Sequence, residues 1–213
     1  MVYKKKKWWK PWANTIAYYP LRTDFDDYSW NGRNLSWDKY IVTVWWIDCA
    51  YYSSNRSYYT WYSLNRTVRT ISLWMNAYSS SWIWTLVHIS KNRDVHLGSL
   101  AINLQNWGIG VADNYSYATW YYTVQSDTWY QVVWTQEWNV VKLYVNWEFV
   151  WENTSRPSEY VSPNGWCFGC QFDTSYKTNK YTGYLSEVIL EDKARTAQEI
   201  SDYYNLTKWN YGL

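Results

Sequence analysis

Short runs of β-branched and aromatic residues, punctuated by Asn, Asp, Ser and Gly, recur every roughly 10–15 residues along this chain. In Val141-Lys142-Leu143-Tyr144-Val145 the apolar side chains fall on alternate positions, which buries one face of a strand and wets the other. Strands are predicted over 15–19, 40–45, 67–78, 85–89, 100–104, 108–112, 130–135, 140–146, 148–152, 167–172 and 183–191. No helical period separates them, so parallel crossovers have nothing to run through and the sheets are expected to be antiparallel. One helix is predicted near the C-terminus, over 196–205. Thr196 and Glu199 are spaced as a capping box, and Ala197, Ile200, Tyr203 and Tyr204 recur on one helical face.

Seven or more strands and one terminal helix predict an all-β fold, a two-sheet antiparallel jelly-roll sandwich with one short C-terminal helix. At 213 residues the sandwich fits in one domain. Residues 14–213 are assigned to that domain and 1–13 to a basic, aromatic arm. The arm carries Lys4, Lys5, Lys6, Lys7 and Lys10 among Trp8, Trp9 and Trp12. Such a segment is either a solvated terminus or a contact to phosphate, an anionic surface or a particle lattice. Pro11, Asn14 and Thr15 interrupt any apolar run behind it, so it does not read as a secretory signal.

Twenty basic residues against 18 acidic ones leave a net charge of +2. That balance creates no long-range field to steer a polyanion, so nucleic acid is not expected as a partner. No run of 18 apolar residues offers a transmembrane segment. Cys49, Cys167 and Cys170 are an odd number and give no disulfide framework. Cys167-Phe168-Gly169-Cys170 has redox or half-zinc spacing, but it lies in a strand-like apolar run without a helix N-terminus or further ligands at recognisable spacing. Buried core cysteines are the expectation there.

Several segments, read in order, resemble the LamG-like, concanavalin A-like lectin/glucanase jelly-roll family. They are Ala17-Tyr18-Tyr19-Pro20-Leu21 with Asp24-Phe25-Asp26-Asp27-Tyr28-Ser29, then Thr70-Ile71-Ser72-Leu73-Trp74-Met75, then Thr128-Trp129-Tyr130-Gln131-Val132-Val133. Val141 to Asn146 follows, and Gly183-Tyr184-Leu185-Ser186-Glu187-Val188 runs into Ala197-Gln198-Glu199-Ile200. The departures from this pattern share one character. After Val145-Asn146 the family turns its hairpin with Gly, where the backbone needs positive φ, and this chain has Trp147. Trp30 and Trp138 also stand where the family has Gly, and Trp61, Trp82, Trp84, Trp120 and Trp209 lie in polar, turn-like settings.

Composition carries the same mark, with 20 Trp and only 8 Gly, where average usage would give roughly 15 Gly. Two readings stand. The tryptophans are genuine and form an aromatic binding surface, or a UGA codon read as glycine in some bacterial lineages has been translated as Trp. Reassigning about a dozen of them would bring Gly to or above its average share of about 7%.

Fold resemblance does not settle function, so the chemistry is sought in residues. The laminarinase-type carboxylate pattern E-x-D-x-E is approached by Glu187-Val188-Ile189-Leu190-Glu191, but Ile189 stands where the central Asp belongs. No G-x-S-x-G, H-E-x-x-H or phosphate-cradling glycine loop is present. Asp24, Asp26, Asp27 and Asn31 crowd one loop with oxygen ligands of the kind Ca²⁺ takes. The resemblance implies that this loop and a late Glu can meet around the cation, which makes Asp27, Asn31 and Glu187 the candidate ligands. The expectation is a non-enzymatic recognition or adhesion module, extracellular or on a virion, binding glycan or a protein surface. A structural capsid-decoration or fibre-associated domain is the alternative, and a laminarinase-type glycosidase a third.

Overall fold

The computed structural model describes residues 13–29, 31–35, 40–44, 46–53, 57–60, 68–78, 84–90, 100–113, 116–154, 165–170 and 181–213. The arm at 1–12 and Trp30, Trp61 and Trp82 lie outside the described residues. In chain order the strands are β1 (Thr15–Tyr19), β2 (Ile41–Val44), β3 (Ile47–Ser53), β4 (Ser57–Thr60), β5 (Thr70–Ala77), β6 (Trp84–Ser90) and β7 (Leu100–Gln105). They continue as β8 (Gly108–Asp113), β9 (Ser116–Thr123), β10 (Trp129–Glu137), β11 (Val140–Val145), β12 (Glu148–Asn153), β13 (Gly165–Phe168) and β14 (Thr182–Glu191). Helix α1 (Ala197–Thr207) and a 3₁₀ turn (Lys208–Tyr211) close the chain.

The fold is the expected all-β, two-sheet antiparallel jelly-roll sandwich with one short helix. One sheet runs β12-β11-β10-β5-β14-β3-β2, with β1 also paired to β14, and the other runs β4-β13-β6-β7-β8-β9. The core lies between them, where alternation delivers Ile71, Leu73, Val132, Trp134 and Leu143 from the first sheet against Leu86, Ile102, Ile109 and Trp166 from the second. Trp166 donates its indole N–H to the Tyr19 hydroxyl at 3.1 Å, so this large ring is both buried and satisfied.

The outer face of the larger sheet is covered by α1 and the 3₁₀ turn. Trp74 stacks on Tyr211 with ring centroids 4.0 Å apart and on Tyr204 at 5.7 Å. Ile200 packs with Val133 and Tyr144, and Tyr203 with Tyr18 and Ile189. The predicted capping box is present: Thr196 Oγ1 accepts the Glu199 N–H, and the Glu199 carboxylate accepts the Thr196 N–H at 2.9 Å.

Three strands escape the sequence reading: β3, β4 and β9. Trp84 and Trp120, expected in turns, fall in β6 and β9. Cys167 and Cys170 are both buried, as expected for core residues, but they are joined in a disulfide rather than present as separate thiols. Gly169 between them has φ +71, and a Cβ there would lie 2.2 Å from the Tyr52 ring, so glycine lets the bridge close against β3. Cys49 is buried and free, its thiol pushed up to about 12 by burial, which leaves it unreactive.

Candidate functional site

The acidic loop after β1 is a self-contained hydrogen-bonded turn. The Asp27 carboxylate accepts backbone N–H groups of Tyr18 at 3.0 Å, Ser29 at 2.8 Å and Arg33 at 3.0 Å. Asn31 donates to the carbonyls of Thr15 at 3.2 Å and Ile16 at 2.9 Å and to the Ser29 hydroxyl at 3.0 Å. Both residues staple the loop to β1. Asp24 accepts from the Tyr28 hydroxyl and the Asp26 N–H, which folds the exposed side of the loop on itself.

Glu187 stands elsewhere, on a β-bulge in β14. There the partner along one edge changes from β3, paired with 182–185, to β1, paired with 188–191. The bulge gives Glu187 a φ of +53 and turns its carboxylate inward, where it is nearly fully buried. One oxygen pairs with Arg22 at 2.6 Å; the other accepts the Tyr18 hydroxyl at 2.5 Å and the Tyr203 hydroxyl at 3.4 Å. Burial and the adjacent Glu187 raise the Tyr18 phenol well above its ordinary value, so it stays a donor. Tyr18 therefore touches both expected ligands, Asp27 through its amide and Glu187 through its phenol, at opposite ends of the residue. Among the described residues no three His, Cys, Asp or Glu side chains gather as a metal centre.

Glu191, four residues on, is fully buried against Arg195, with Nε to Oε2 at 2.5 Å and Nη2 to Oε1 at 3.0 Å. Both members of the carboxylate pair considered for glycoside hydrolysis are thus committed to cations of the chain itself, rather than presented on an open surface as acid and nucleophile.

An open site lies on the other side of Arg195. A cleft of about 520 Å³, a size typical of small-ligand sites, is lined by the β10–β11 hairpin and by Ala194 to Ala197 at the start of α1. Tyr144 also lines it, but its ring is nearly buried among Val133, Ile200 and Phe149, which it meets edge-on at 5.8 Å. Glu137, Asn139, Lys142 and Thr196 bring acceptors and donors to its rim. Asn139 is fixed by donating to the Thr154 carbonyl at 2.6 Å, and Lys142 pairs only loosely with Glu152 at 3.7 Å, so its ammonium can donate to another partner. Trp138 also borders the cleft, its indole exposed and its carbonyl accepting from Gln136 at 3.2 Å. Sequence reasoning missed this site because its two walls are about 60 residues apart along the chain and meet only when α1 docks on the sheet.

No protein-family model matches the chain, and no curated protein sequence matches it. Solved structures do resemble it. Domain 4 of AbnA, an extracellular GH43 arabinanase from Geobacillus stearothermophilus in complex with arabinotriose, aligns with a TM-score of 0.70 at 16% identity, over 89% of this chain and 97% of that domain. The receptor-binding domain of botulinum neurotoxin mosaic serotype C/D aligns at 0.68 and 14% identity over 90% of this chain, which spans about half (50%) of that structure. The CBM40 of Ruminococcus gnavus IT-sialidase, bound to α2,3 sialyllactose, aligns at 0.55 and 13% identity over 65% of this chain and 83% of that one. At these identities the likeness is one of fold: the chain shares the jelly-roll sandwich of these domains.

Proposed function

We propose that this chain is a non-catalytic, LamG-like glycan-binding module that works outside the cell, at a cell or particle surface. The observation that carries the reading is the open cleft, in which Glu137, Asn139, Lys142 and Thr196 converge. Carboxylate, amide, ammonium and hydroxyl groups together take the hydroxyls of a sugar, and the set does so without the Trp138 indole. The fold adds support, since it is shared with domains bound to arabinotriose and to sialyllactose and with a botulinum neurotoxin type C whose cell entry depends on two ganglioside molecules. The Cys167–Cys170 disulfide fits an oxidising compartment.

A glycan array probed with the purified chain, with and without EDTA, tests the reading. A defined subset of glycans should be retained, and Asn139→Ala with Lys142→Ala should abolish retention while the far-UV circular dichroism is unchanged. If no glycan is held in either condition, the module is not a lectin. Retention that survives both substitutions would remove the cleft as its site.

A further inference from the structure

Among the described residues, four strand pairs are closed by two-residue loops that hold a tryptophan: Val44 pairs with Ile47, Gln105 with Gly108, Glu137 with Val140 and Val145 with Glu148. In each of these four the tryptophan has positive φ: Trp46 at 73°, Trp107 at 65°, Trp138 at 54° and Trp147 at 68°. These are left-handed conformations that a β-carbon disfavours and glycine adopts freely. The chain's own Gly32, Gly169 and Gly212 take φ of 67°, 71° and 76°, the same range.

The flanking residues identify the turns. Asn106 and Asn146 precede Trp107 and Trp147 with φ of 48° and 50°, so both central residues are left-handed. That is the type I′ hairpin, whose common sequence is Asn-Gly. In the third loop Trp138 comes first and Asn139 lacks positive φ, the arrangement of a type II′ turn, which takes Gly at its first position. Among the described residues, nine non-glycine residues have positive φ. Four are tryptophan and two asparagine, although asparagine is enriched in that region and bulky aromatics are not.

The indoles at these turns also do little. Trp46 is 94% exposed, Trp138 68% and Trp147 45%, and Trp107 alone lies partly against the core. By contrast Trp74, Trp129, Trp134 and Trp166 are buried in strands with ordinary backbone. One group is placed by its side chain and the other by its φ.

We infer that positions 46, 107, 138 and 147 are glycine in the protein as its own cells synthesise it, encoded by UGA and written as tryptophan by a different decoding rule. The buried tryptophans are then encoded by UGG, which every such code reads as tryptophan. Trp46 and Trp107 extend the assignment beyond positions 138 and 147, where family likeness first raised it, because the backbone singles them out independently of any resemblance.

Peptide mass spectrometry of the protein purified from its natural source tests this directly. Glycine is expected at 46, 107, 138 and 147, with tryptophan at 74, 134 and 166; tryptophan at any of the four turn positions would overturn the inference. Recombinant chains give a second measurement. The Trp46→Gly/Trp107→Gly/Trp138→Gly/Trp147→Gly chain should have a higher Tm than the chain as written, whereas Trp74→Gly should lower it. A quadruple variant with an equal or lower Tm would overturn the backbone argument.

Discussion

Trp134 and Trp147 are thirteen residues apart on neighbouring strands and hairpins of one sheet, yet nothing about their environments is alike. Trp134, with no exposed surface, fills the space between the sheets and has strand backbone. Trp147 sits at a hairpin tip with φ of 68°, its ring against solvent. At the first position the side chain is what the fold uses; at the second the fold uses the absence of one. A single letter in the sequence thus stands for two kinds of position, one that needs the indole and one that needs no β-carbon.

The largest effect is expected in the interior. Trp134→Ala should cost about 3–5 kcal/mol in urea unfolding, the usual cost of emptying a large buried aromatic site. Among the described residues the Trp134 indole N–H has no hydrogen-bond partner, so Trp134→Phe, which keeps a ring and removes that donor, should cost well under half as much. A loss at Trp134→Ala no greater than that of a surface substitution would erase the distinction between the two tryptophans.

Glu187 extends the comparison to a polar residue at positive φ. Unlike the turn tryptophans it has a reason to be there, because the bulge delivers its carboxylate to Arg22, Tyr18 and Tyr203. Glu187→Ala leaves the Arg22 guanidinium without its carboxylate and should cost about 3–5 kcal/mol. Glu187→Gly, which relieves φ but also removes the carboxylate, should cost nearly as much. If it stabilised instead, the bulge would belong with the hairpin tips.

His88 probes the interior through pH. Burial lowers its imidazole to about 4, below its ordinary 6.5, so between those values the unfolded chain binds the additional proton. Its contribution to stability is complete above pH 6.5 and is lost as pH falls towards 4, by roughly 3 kcal/mol. Glu191 works in the other direction, since burial pushes its carboxyl up despite Arg195, and its contribution is lost as pH rises. Comparing the parent with His88→Asn over pH 4–6.5 isolates the histidine: the variant's stability should vary less steeply across that window. Parallel profiles would mean that His88 is hydrated.

Much of this architecture is legible in the sequence where alternation and turn chemistry agree. Val141 to Val145 gave β11, and Thr196 with Glu199 gave the start of α1, because a period of two and a capping box are local signals. The β2–β3 hairpin was illegible for a physical reason: Trp45-Trp46 conceals the turn, so Ile47 to Ser53 lost its boundary. β9 was lost because Ser116-Tyr117-Ala118-Thr119-Trp120 has neither clean alternation nor a marked turn before it. The Glu187–Arg22 pair could not be read at all, since its partners lie far apart along the chain and are joined by the crossing of β14 with the loop after β1. The cleft is non-local in the same way, made by α1 docking beside the β10–β11 hairpin.

The smallest expected effect is the one that bears most on the comparison. Trp147→Gly should stabilise the chain by about 1 kcal/mol, because a left-handed residue with a β-carbon is strained by roughly that amount and glycine is not. Glycine also loses more backbone entropy on folding, which subtracts several tenths of a kcal/mol, so the gain is net and modest. Trp147→Ala separates the contributions: it removes the half-exposed ring but keeps the β-carbon and hence the strain. If the ring is dispensable and the φ decisive, Ala should be close to neutral and Gly the more stable of the two by denaturant midpoint. If Ala and Gly are equally destabilising, the indole is packing usefully on the sheet, and Trp147 belongs with Trp134 after all.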